Sequence, residues 1–62
     1  MRHIDGYLSR LAQMNLHPSS LIFVGEDGLW VLEREGQDPV GLGDNFQRAG
    51  DGLRALVRAQ KK

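Results

Sequence analysis

The stretch Leu21-Ile22-Phe23-Val24-Gly25-Glu26-Asp27-Gly28-Leu29-Trp30-Val31-Leu32 decides how this chain is read: four apolar residues, four polar or glycine residues, four apolar residues. Both quartets are rich in β-branched and aromatic side chains, which fit extended backbone. Glu26-Asp27-Gly28 suits a type I turn closed by a glycine bulge, with Gly28 in the left-handed conformation at no steric cost. Leu21 to Gly25 and Leu29 to Glu35 are therefore predicted as antiparallel strands, with Val24 opposite Trp30, Phe23 opposite Val31 and Ile22 opposite Leu32. Successive strand residues point to opposite faces, so Leu21, Phe23, Leu29 and Val31 share one face and Ile22, Val24, Trp30 and Leu32 the other. Both faces are apolar, and both need a cover.

Upstream, Ile4, Tyr7, Leu8, Leu11 and Met14 follow the spacing of one helical face, with Ser9, Arg10 and Gln13 opposite, which predicts a first helix from about His3 to Asn15. Asp5 serves as its N-cap or stands in its first turn. His17 and Pro18 end the helix, because the residue before a proline is pushed out of the helical region. Downstream, Gly36-Gln37-Asp38-Pro39 is a turn cluster, and Val40 to Leu42 leaves room for a short third strand. Asp44 with Gln47 has capping-box spacing for a second helix, whose apolar face carries Phe46, Ala49, Gly50, Leu53, Leu56 and Val57. Within it, Gly50 stands where another backbone could approach, whereas Gly52 has no evident reason to be glycine. The expected fold is α+β, one domain over residues 1–62: an N-terminal helix, an antiparallel β-hairpin with a short third strand, and a C-terminal amphipathic helix.

A chain of 62 residues buries only roughly 60% of the surface its unfolded form exposes. Without cysteine, neither disulfides nor thiolate zinc sites can reinforce it, and oligomerisation remains as the leading reinforcement. The opening Met1-Arg2-His3-Ile4-Asp5-Gly6 lacks the apolar segment of a signal peptide, and no apolar run exceeds four residues. A cytoplasmic protein with no membrane partner is expected. The net charge of zero conceals a polarity: Gly25 to Gln47 carries six acids against Arg34 alone, and the segment from Arg48 carries Arg48, Arg54, Arg58, Lys61 and Lys62 against Asp51.

Chemistry finds little to work with. His17-Pro18-Ser19-Ser20 groups a base with hydroxyls, but without the strand-to-helix elbow that presents a nucleophile, and these residues are ordinary loop formers. Glu33 and Glu35 share a strand face, as solvated strand ends do. Two histidines, His3 and His17, do not make a metal motif, and Gly41-Leu42-Gly43-Asp44 lacks the lysine and length of a phosphate loop. No enzymatic activity, cofactor or metal is expected.

The run Gly28-Leu29-Trp30-Val31-Leu32-Glu33-Arg34-Glu35-Gly36 is similar to a stretch found in short uncharacterised bacterial proteins, where it also leads through a third strand into an alanine-rich helix. More broadly, Glu26 to Ala59 resembles the HicB-like antitoxin fold in its Asp-Gly hairpin turn, third strand and Gly-Asp helix start. The resemblance implies a small dimer-forming module that binds another protein without catalysis. The shared positions make turns and core, and the additional N-terminal helix departs from the pattern. The functional expectation is a self-associating interaction or regulatory module, a homodimer whose interface is the face Ile22, Val24, Trp30 and Leu32, with a surface left for a partner protein. The competing arrangement is a monomer with one helix on each face. The alternative function is a nucleic-acid-binding accessory protein using Arg48, Arg54, Arg58, Lys61 and Lys62 to track phosphates.

Overall fold

The computed structural model describes residues 2–60 and has the expected α+β class. The order is β1 (His3–Ile4), α1 (Gly6–Asn15), β2 (Leu21–Val24), β3 (Trp30–Glu33), β4 (Val40–Gly43) and α2 (Phe46–Gln60). The strands form one antiparallel sheet in the order β1-β2-β3-β4.

The hairpin forms in the expected register: Ile22 pairs with Leu32, Phe23 with Val31 and Val24 with Trp30. Its turn is closed by the Gly28 N–H to the Gly25 carbonyl (3.0 Å) and the Gly25 N–H to the Leu29 carbonyl (2.9 Å), with Gly28 at φ 82°. Asp27 Oδ1 accepts the Leu29 N–H at 3.0 Å and fixes the exit from the turn. The third strand is present as β4, with a register irregularity at Trp30/Val31.

The N-terminus departs from the expected helix. His3 and Ile4 pair with Val24 and Phe23, and only then does the helix start. Asp5 decides the boundary. Its carboxylate accepts the Leu8 N–H at 2.8 Å as an N-cap, while its own N–H donates to the Ile22 carbonyl at 2.9 Å. A two-residue strand is too short to show a period, so the helical spacing of Ile4 with Leu8 and Leu11 concealed it.

Ser9, expected on the solvent side of α1, is 3% exposed. Where β1 stops, the Ser9 hydroxyl takes over its role beside β2: it accepts the Ile22 N–H (2.7 Å) and donates to the Ile22 carbonyl (3.3 Å). Gln13 donates to the Ser20 carbonyl at 2.9 Å on the next turn. These tethers rotate α1 so that Leu8, Ser9 and Ala12 are buried, leaving Tyr7 and Met14 65% and 74% exposed instead of in the core.

Helix α2 is capped by Asn45, whose Oδ1 accepts the Arg48 N–H at 2.8 Å, rather than by Asp44. Asp44 lies one residue outside and pairs with Arg48 at 3.2 Å. The roles of the two helix glycines are also the reverse of the expectation. A Cβ on Gly52 would stand 2.6 Å from the Leu42 carbonyl oxygen and 3.2 Å from its Cα, whereas one on Gly50 would meet nothing within 4 Å. The backbone of α2 therefore rests on that of β4 at Gly52.

Both helices lie on the same side of the sheet. Leu8 and Ala12 of α1, Ile22, Leu32 and Leu42 of the sheet, and Ala49 and Leu53 of α2 form the core, with Leu11, Leu16, Trp30, Val40, Leu56 and Val57 packed around it. Five of the buried residues, Leu8, Ile22, Leu32, Leu42 and Leu53, are large aliphatic side chains whose burial stabilises the fold by about 1.5–3 kcal/mol each. The arrangement with one helix per face does not occur, and among the described residues no helix lies over the opposite sheet face. No helix among the described residues is long and apolar enough to cross a membrane.

Candidate interaction surfaces

The expected interface of Ile22, Val24, Trp30 and Leu32 is the face that α1 and α2 cover. Ile22 and Leu32 are fully buried, and Val24 and Trp30 are half-buried. Trp30 packs edge-on to Phe46 of α2, with ring centroids 5.8 Å apart, so it serves the protein's own core rather than a junction between copies. The correction follows from register: Leu42 lies on the inner side of β4 with Ile22 and Leu32, and the two helices carry the matching apolar stripes. The bare face is the other one. Ile4, Phe23, Val31 and Gly41 are successive cross-strand partners and form one row across the whole sheet. Leu21 lies beside that row at 36% exposure and Leu29 at 39%, while Ile4 is 57% exposed.

This outer row has a relief. It begins with a projecting Ile4 on β1 and ends on β4 with Gly41, where a Cβ would have only the Leu29 methyls near it, at 3.9 Å. Across the middle lies Arg2, whose guanidinium stands 4.2 Å above the Phe23 ring and pairs with Glu33. A shallow hollow of about 470 Å³ opens beside it, between Phe23, Leu29 and Val31 and the acidic turn at Glu26 and Asp27.

The basic residues of α2 do not form a free stripe. Arg48 is engaged by Asp44 (3.2 Å) and Arg54 by Asp51 (3.7 Å), and Arg58 follows at the end of the helix. Lys61 and Lys62 lie outside the described residues.

The polar groupings turn out to be structural. His17 Nδ1 is 2.7 Å from Ser19 Oγ and accepts the Ser19 N–H at 3.0 Å, and Ser19 Oγ accepts the Glu35 N–H at 2.9 Å. This set closes the α1–β2 loop onto the end of the hairpin. Ser20 is fully buried, and Glu33 is held by Arg2. His3 sits beside Val24 near the hairpin turn, away from His17, and no group of three metal-ligating side chains occurs among the described residues. Gly41-Leu42-Gly43 belongs to β4, so it is not a loop that could wrap a phosphate. Sequence reasoning passed over Ile4 and Gly41 as surface residues because neither stands out alone; only the pairing Ile4–Phe23–Val31–Gly41 joins them.

Comparison of the chain with protein-family models, curated proteins and solved structures yields no match.

Proposed function

We propose that this protein is a small non-enzymatic interaction module that self-associates through the outer face of its sheet. The observation that carries the reading is the bare apolar row Ile4, Phe23, Val31 and Gly41, opposite a core that two helices already cover on the other side. A second copy fits this row for a geometric reason. A two-fold axis parallel to the strands sets β1 of one copy over β4 of the other, so that each Ile4 stands over the partner's Gly41 and each Phe23 over the partner's Val31. Such a patch is complementary to itself, as a closed two-fold interface requires, and packed sheets keep their strands nearly aligned.

The size of the face sets the strength. Three strands of four residues and one of two, about 4.8 Å apart, offer roughly 220 Å² of flat surface, against about 800 Å² per partner in a standard interface. The association is weak and concentration-dependent. The Arg2–Glu33 pair lying over Phe23 must move aside and costs a little more, up to about 1 kcal/mol for an exposed pair. The resemblance of residues 26–59 to dimer-forming, partner-binding antitoxin modules points the same way, and a cytoplasmic location fits it.

Sedimentation equilibrium from micromolar to high micromolar concentration tests this reading. A monomer–dimer equilibrium is expected about the 6.9 kDa chain. Gly41→Val fills the space beneath the partner's Ile4 while meeting only the Leu29 methyls of its own chain, so it should abolish the dimer and leave the circular dichroism spectrum unchanged. A monomer at every concentration, or a dimer indifferent to Gly41→Val, would refute the proposal. The nucleic-acid reading has less support, since Asp44 and Asp51 interrupt the basic stripe that phosphates would follow.

A further inference from the structure

The two helices run side by side without closing on their solvent side. Tyr7 and Phe46, near their N-terminal ends, have ring centroids 6.1 Å apart. From there a hollow of about 280 Å³ leads between Leu11 and Gly50 into a second of about 470 Å³ that ends at Asn15 and Arg58. Leu11, Leu53 and Arg54 line both, so the two hollows form one groove along the helix layer. This groove lies on the opposite side of the molecule from the outer sheet face.

Three independent features face outward from it. Tyr7, at the mouth of the groove, continues the stripe of Leu11 at helical spacing, yet it is 65% exposed. Gly50 lines the groove in mid-helix, where glycine costs about 1 kcal/mol relative to alanine, and it has no neighbour within 4 Å of its Cβ position to require it. The charge at its rim is basic: Arg54 and Arg58 line it against the single acid Asp51.

We propose that this groove seats an amphipathic α-helix of a partner protein, its apolar stripe against Leu11 and Leu53 and its acidic flank along Arg58 and along Arg54, which exchanges its exposed 3.7 Å contact with Asp51 for the partner's carboxylates. Gly50 is then the point where the partner's backbone comes closest, which accounts for a glycine the isolated chain does not need. Helix-in-groove recognition takes apolar anchors one helical turn apart, and the groove runs about 12 Å along α1, from Tyr7 to Asn15, and about 18 Å along α2, from Phe46 to Arg58, room for two to three turns of such a helix. The groove is concave, which a flat bilayer surface would not fill. Two copies meeting here would oppose their own arginines, and a nucleic-acid backbone would leave the apolar floor uncovered.

The test uses two synthetic helical peptides of roughly four turns, without tryptophan, identical in their leucine stripe and carrying either glutamate or lysine on the flanks. Trp30, the only tryptophan, packs on Phe46 beside the groove and reports occupancy by its fluorescence. Saturable binding of the glutamate peptide is expected, at least about tenfold tighter than that of the lysine peptide. Binding should be lost in Gly50→Leu, whose side chain enters open space, and the preference should reverse in Arg54→Glu/Arg58→Glu. Gly41→Val should bind as the parent does, which separates this site from self-association. Equal binding of both peptides, binding that survives Gly50→Leu in a folded variant, or no saturable signal up to millimolar peptide would overturn the proposal. So would fluorescence changes with vesicles of anionic lipid that match those with the glutamate peptide.

Discussion

A methyl group on Gly52 would stand 2.6 Å from the Leu42 carbonyl oxygen and 3.2 and 3.3 Å from the Leu42 Cα and carbonyl carbon, all backbone atoms of β4. An ordinary carbon–oxygen contact is about 3.3–3.6 Å, so α2 must back away from the sheet by roughly 0.7–1 Å. That retreat loosens Ala49 and Leu53, which are 0% and 3% exposed in the core beneath the helix. Overpacking of this kind costs about 1–3 kcal/mol, and the better helix propensity of alanine returns up to about 1 kcal/mol. Gly52→Ala should therefore lose about 1–2 kcal/mol in balance. Gly50→Ala, two residues away in the same helix, meets open space and should gain about 0.5–1 kcal/mol. A chain of this size has a total stability of about 3–9 kcal/mol, and each kcal/mol moves its melting temperature by about 4–8 °C. Urea unfolding followed by circular dichroism at 222 nm measures both variants against the parent. With a slope near 1 kcal/mol per molar urea, the two midpoints should lie roughly 2 M apart, on opposite sides of the parent. A Gly52→Ala midpoint at or above that of the parent would refute the backbone contact between α2 and β4. A Gly50→Ala midpoint below it would mean that Gly50 is needed by the isolated fold.

Ser9→Ala leaves the buried Ile22 N–H without its acceptor and should cost about 1–3 kcal/mol in the same urea assay, whereas Arg10→Ala on the exposed side should stay within about 0.5 kcal/mol. Asn45→Ala should cost about 1 kcal/mol and Asp44→Ala at most a few tenths, because Asn45 holds the first-turn amide and Asp44 only an exposed ion pair; the opposite order would restore Asp44 as the cap.

The hairpin was legible because every signal for it is local. The Glu26-Asp27-Gly28 turn sets its own register, and a register once set assigns every side chain of both strands to a face. The existence of α2 was equally plain from its apolar spacing, and so was the end of α1 at His17 and Pro18. Local pattern failed where a long-range contact outweighed it. Tyr7 and Met14 satisfy helical spacing as well as Leu8 does, but the hydrogen bonds of Ser9 and Gln13 to β2 turn them outward. The shift of the cap from Asp44 to Asn45 has a different, local cause: the two stand side by side and differ only in which carboxyl or amide oxygen reaches an orphan amide.

The sequence by itself determined the two hairpin strands, their pairing across the turn, the division of the hairpin into two apolar faces and the α+β class, since these follow from periodicity and turn chemistry within a few residues. Which face the helices would cover was decided only by the tertiary structure. The two faces are nearly equal in apolar content, and the choice rests on contacts between distant segments: Asp5 and Ser9 with Ile22, and Gly52 with Leu42. Those contacts place both helices over Ile22 and Leu32. The row from Ile4 to Gly41 is left as the surface that this chain presents.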